Sequence, residues 1–199
     1  MLLTISTTHR PATELAGLLG QHPDAVRATT FPFGHAMLCF PQADERRCSV
    51  AVMLQHPGRP AKASMLAEAL ADLLAPARDV AGPAMPFEVA LPVLACPGGP
   101  EQLWALFGPL GYDVITEAVR GGEPDELAIG LCGLVPLAGL VSHLCTTLPV
   151  LDGEARPADP DGHGSRPSPT ASGISRRCPG AATLGASTGL GGDACRCLR

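Results

Sequence analysis

Histidine, cysteine and carboxylate side chains are where chemistry would first be sought, and this chain carries six His, eight Cys and nineteen Asp+Glu. The histidines stand at 9, 22, 35, 56, 143 and 163, none at metal-ligand spacing from another His, Cys or carboxylate. His9-Arg10, at a strand end, offers the polarity of an anion site, but a simple turn accounts for it better. His143, beside Leu144 on a predicted helix, reads as a packed or rim histidine. Cys195-Arg-Cys197 with Cys178 is a C-x-C element without the second pair that a zinc site needs. Gly189-Leu-Gly191-Gly192 lacks the preceding strand and following helix of a nucleotide loop. The only lysine, Lys62, sits between alanines and reads as a helix-surface charge rather than a nucleophile. The residues therefore predict no catalytic, cofactor-binding or metal-binding position.

The elements around these residues are an α+β pattern. Leu91–Val114 holds the only Trp (104) and the only Tyr (112), in the order strand, Pro/Gly turn, helix, Pro-Leu-Gly turn, strand. Leu2–Phe33 follows the same plan: a strand over Leu2–Thr7, Pro11 in a first helical turn, then Leu15, Leu18 and Leu19, with Gly20 as the stop. Strands are predicted over 25–33 and 35–40 around Gly34, and over Cys48–Leu54. A helix over Ala61–Leu74 turns Met65, Leu66, Leu70, Leu73 and Leu74 to one face. After a linker at 76–86, a strand at Phe87–Leu94 leads to a helix at Glu101–Phe107 with Leu103, Leu106 and Phe107 inward. Strands at Tyr112–Val119 and Leu127–Val135 and a helix at Leu137–Leu148 complete the ordered part.

Glu14–Gly20 aligns without gaps on Gln102–Gly108, which suggests two βαββ-type lobes, about 1–76 and 86–152, with helices packed on mainly antiparallel sheets. Trp104 and Tyr112 read as packing residues. Residues 153–199 carry nine Gly and five Pro with no aromatic side chain, and are predicted to be a disordered tail.

Residues 1–152 hold eight Lys+Arg against fifteen Asp+Glu, a net charge of −7. Such a body is poorly suited to gripping phosphates and better suited to a basic protein partner. The early cysteines stand singly among apolar residues, as small buried hydrophobes of a reducing compartment do. The start lacks a basic, signal-like region, and a cytoplasmic location is expected. The fifteen apolar residues of Leu127–Val141 fall short of the roughly 20 that span a bilayer, and Pro136 interrupts them.

Several stretches together resemble one family. They are MLLTISTTHRPATELAGLL (1–19), Phe33-Gly-His-Ala36 with the apolar run to Pro41, Asp44-Glu-Arg-Arg-Cys48, ALPVLACPGG (90–99), LFGPLGYDV (106–114) and LVSHLCTTLPVLD (140–152). The set is similar to the amino-terminal domain of bacterial HEN-type RNA methyltransferases, which modify the 3′-terminal ribose 2′-OH during RNA repair. The resemblance implies a non-catalytic interaction module that binds and activates the RNA ligase of a polynucleotide kinase-phosphatase, meeting RNA only indirectly. S-adenosylmethionine and a divalent metal would belong to a separate carboxy-terminal domain whose Glu-x-x-Glu-His pattern is absent from 1–199. Whether this chain acts as an enzyme is therefore left open by the resemblance. Two departures matter. His56-Pro-Gly-Arg-Pro60 joins directly where the family carries a longer Gly-rich stretch, and the text after Asp152 resembles a shifted reading frame. Two further readings stay open: part of a 2′-O-methyltransferase whose catalytic domain is missing or separately encoded, or a non-functional truncated remnant.

Overall fold

The computed structural model describes residues 1–152 apart from 10, 12–13, 23, 58–60 and 81. The expected disordered tail at 153–199, with its cysteines, His163 and glycine cluster, lies outside the described residues.

Seven strands form one antiparallel sheet: β1 (Leu2–Thr7), β2 (Arg27–Phe31), β3 (Gly34–Ala43), β4 (Cys48–Gln55), β5 (Met85–Ala95), β6 (Tyr112–Ala118) and β7 (Glu126–Val135), in the order β2-β3-β4-β1-β5-β7-β6. The helices are α1 (Glu14–Leu18), α2 (Ala63–Leu73), α3 (Ala75–Arg78), α4 (Gly99–Phe107) and α5 (Leu137–Thr147), with a 3₁₀ turn at Leu148–Asp152. The α+β class is as the sequence predicts. The strands expected in separate sheets share one, because β1 pairs with β5 from Thr4↔Ala90 to Thr7↔Phe87. The internal likeness also has a topological form. β1-α1-β3-β4-α2 and β5-α4-β6-β7-α5 have the same order of pairing, mirrored across the β1–β5 seam, with β2 as an extra edge strand.

Strand alternation decides which face is covered. Leu3 and Ile5 of β1, Val50 and Val52 of β4, Phe87, Val89 and Leu91 of β5, and Ile129 and Leu131 of β7 are buried in register with one another. Leu15, Leu66, Leu70, Leu73, Leu103, Phe107, Leu140, Val141 and Leu144 of the helices join the same core. Successive strand residues point to opposite faces, so one apolar set in each strand selects a single helix-covered side. Residues of the other parity, such as Thr4, Ser6, Ala90 and Ile115, line an open face.

Local chemistry places the ends of the elements. Gly20 has φ 62°, and the bonds Gly20 N–H to Gly17 O (2.9 Å) and Gln21 N–H to Ala16 O (3.0 Å) make the Schellman stop predicted for α1. Gly34 has φ 153°, and a Cβ there would meet Gln55 O, so the β2–β3 turn admits only glycine. The stretch expected as a linker begins instead with α3, because Pro76 suits a first helical turn and Ala77 buries against the core. β3 runs three residues beyond its predicted end, continuing its ladder to Ala43↔Cys48 past a bulge between Cys39 and Gln42.

Candidate interaction surface

The side chains with chemical potential are spread out and mostly satisfied within the fold. His9 Nε2 lies 3.8 Å from Glu14 Oε2, and His22 Nδ1 lies 3.5 Å from Asp24 Oδ2. His35 Nδ1 is 3.1 Å from the Thr30 hydroxyl across the β2–β3 hairpin. His56 Nδ1 is buried without a hydrogen-bond partner among the described residues, next to 58–60, which lie outside them. His143 Nδ1 is 3.0 Å from the Tyr112 hydroxyl, with the rings edge to face at 5.7 Å. Phe107 also packs edge to face with Tyr112, at 6.0 Å. This row joins α4, β6 and α5, and burial pushes the Tyr112 phenol up to about 12.

Burial also raises the thiols of Cys48 and Cys96, which disfavours their thiolate forms. The Cys96 thiol donates to Gly99 O at 3.3 Å, at the turn into α4. Cys39, Cys48, Cys96 and Cys145 are free thiols, and Cys39 and Cys145 are half-buried rather than fully enclosed. Among the described residues, no three His, Cys, Asp or Glu side chains gather as a metal site would require. Arg10, the partner of His9 in the anion-site reading, lies outside them.

Four sets of polar contacts have structural work instead. Arg47 Nη2 donates to Glu88 Oε2 at 2.9 Å, linking the residue before β4 to β5 and so crossing β1 on the open face. Beneath that link the Ser6 and Ser49 hydroxyls are 2.9 Å apart and buried. Asp44 accepts from the Gln42 amide and from the backbone N–H groups of Arg47 and Arg46, which hold its carboxyl below the usual range. Asp152 receives the N–H groups of Ala63 (2.7 Å) and Ser64 (2.8 Å), capping α2, whose own N-cap Lys62 makes no side-chain cap.

What remains is surface. Trp104, expected to pack, is 53% exposed on the outer side of α4, whereas Tyr112 is buried. Leu103 and Phe107 are buried as expected, and Leu106 is half-buried against the same core. Of the seven exposed large hydrophobics among the described residues, Val93, Trp104, Ile115, Leu134 and Val150 belong to the half that follows the β1–β5 seam. Charge is divided in the same way. Residues 1–85 carry seven Lys+Arg and seven Asp+Glu, while 86–152 carry Arg120 alone against eight acids, a net −7. Both asymmetries fall in the half that follows the β1–β5 seam, where Glu88 and Asp152 are already engaged within the fold.

A family model described as the RNA repair, ligase-Pnkp-associating region of Hen1 matches residues 1–65 and 59–156. The chain belongs to this family. The two matched segments overlap at 59–65. Among solved structures, the fold is shared with a chain of the Pnkp1/Rnl/Hen1 RNA repair complex, at 12% identity and TM-score 0.54, covering 78% of this chain and 44% of that one. It is shared equally with a chain of a second structure of the Pnkp1/Rnl/Hen1 complex, at 11% identity and TM-score 0.53, covering 78% and 43%. The chain thus spans less than half the length of these structural relatives. No curated protein matches it. Among the described residues, no helix of this Hen1 region is long and apolar enough to cross a membrane.

Proposed function

We propose that residues 1–152 form a non-catalytic module that binds the RNA ligase part of a bacterial polynucleotide kinase-phosphatase and favours its adenylylated state. The family match across 1–65 and 59–156 is the observation that carries this reading. The surface supports it: the acidic charge of residues 86–152 disfavours direct contact with RNA phosphates and suits a basic protein. In this reading the two lobes, about 1–76 and 86–152, serve one cytoplasmic binding unit. They contribute no catalytic, cofactor or metal residue, and S-adenosylmethionine and a divalent metal belong to a separate catalytic domain.

Mixing the full 199-residue chain with that ligase tests the proposal. A stable complex and faster accumulation of ligase–adenylate are expected. Absence of a complex together with an unchanged adenylylation rate refutes it.

A further inference from the structure

An edge strand presents unpaired backbone groups, and β6 is one of the two edges of this sheet. On its open face stand Asp113, Ile115 and Glu117, alternating with the core-facing Tyr112 and Val114. All three are exposed, Ile115 by 41%. The residue opposite Ile115 on β7 is Gly130, so no cross-strand side chain covers it. Leu134, 59% exposed, extends the same face beside Asp113. The other edge, β2, offers only Ala28 and Thr30 on this face, and the Thr30 hydroxyl is already bonded to His35.

We propose that the β6 edge, with Asp113, Ile115 and Glu117 in a row on the open face, is where this chain engages its protein partner, through an extended segment that carries basic residues on either side of an apolar one. The proposal rests on the reading above that the chain binds a protein. Charge complementarity selects the occupant. Asp113 and Glu117 are four residues apart, about 13 Å along a strand, which matches basic residues at the same spacing on an added strand. Opposite-charge cross-strand pairs stabilise such pairing, and like charges oppose it.

A second copy of this chain is a poor occupant for that reason. Antiparallel self-pairing centred on Ile115 would set Asp113 against Glu117 of the copy, twice over. A phosphate backbone would meet the same repulsion. The acidic pair therefore guards the edge against itself and against nucleic acid while leaving it open to a basic strand.

The test uses the full chain and the kinase-phosphatase ligase. Asp113→Lys with Glu117→Lys changes the β6 charge by +4. Glu68→Lys with Asp72→Lys makes the same change on the exposed side of α2. The β6 pair should weaken binding about tenfold or more, and the α2 pair less than about twofold. The milder Asp113→Asn with Glu117→Gln should flatten the salt dependence of Kd, a readout that holds even if the lysine variant folds poorly. Equal weakening by both lysine pairs, or wild-type affinity and salt dependence in the β6 variants, overturns this surface while leaving the binding reading intact. Failure of the wild-type chain to bind overturns both.

Discussion

Removing the Asp152 carboxylate should loosen α2 from a distance of eighty-nine residues in sequence. The helix begins with Lys62 at its N-cap and has no acidic residue in its first turn. Without the returning chain, the part-buried N–H groups of Ala63 and Ser64 would lose their Asp152 acceptors. The 3₁₀ turn Leu148–Asp152 packs on α2 with Leu148 and Leu151 buried, and presents both Asp152 oxygens to Ala63 and Ser64. A lost N-cap costs about 1–2 kcal/mol, including a helix-dipole share of about 0.3–1 kcal/mol that salt screens. Asp152→Ala should therefore lower unfolding free energy by about 1–2 kcal/mol in urea titration at low salt. For a domain of this size that corresponds to roughly 3–6 °C in Tm. Asp152→Asn, which keeps one acceptor oxygen and loses the charge, should fall between. Lys62→Ser placed on Asp152→Ala should recover part of the loss by supplying a local cap. Wild-type stability in Asp152→Ala, within about 0.3 kcal/mol, would refute the capping account. No recovery with Lys62→Ser would show that the loss lay in the packing of the turn instead.

Further outcomes follow from the same contacts. The Arg47–Glu88 pair, three-quarters buried across the β1–β5 seam, should show a coupling of about 1 kcal/mol in a double-mutant cycle of Arg47→Ala and Glu88→Gln; strict additivity would mean that solvent screens it fully. Tyr112 is the only tyrosine, so alkaline ultraviolet titration reads it alone, and ionisation should be delayed to about pH 12. The folded state disfavours the phenolate, so its contribution is complete below about pH 10 and is lost as the pH rises toward 12; ionisation near pH 10 in the folded chain would contradict its burial. Trp104 fluorescence should be strongly quenched by acrylamide in the free chain, and shielding from acrylamide there would contradict the exposed α4 face.

The binary pattern made most elements legible. β1, β4, α2, β6, β7 and α5 lie within two residues of their predicted ends, because each combines one apolar periodicity with a Gly or Pro stop; α1 ends as predicted but starts at Glu14, three residues after Pro11. Trp104 shows where pattern reading fails. An indole in an apolar helix resembles a core residue, but Leu103 and Phe107 already occupy the inward stripe, and residue 104 points away from it. Counting charges separately in the two halves would have exposed the −7 of residues 86–152 without any structure.

The sequence by itself determined the α+β class, the strand and helix order, the repeated plan and the family resemblance, since these depend on local periodicity and ordered motifs. Only the tertiary structure decided that the two halves share a sheet, that Asp152 caps α2, and that Arg47 reaches Glu88. Each joins residues at least 41 positions apart, and no local pattern encodes such a pairing. The same holds for the acidic β6 edge. Asp113, Ile115 and Glu117 alternate visibly in the sequence, but only the strand order leaves them at the rim of the sheet, with an unpaired backbone beside them.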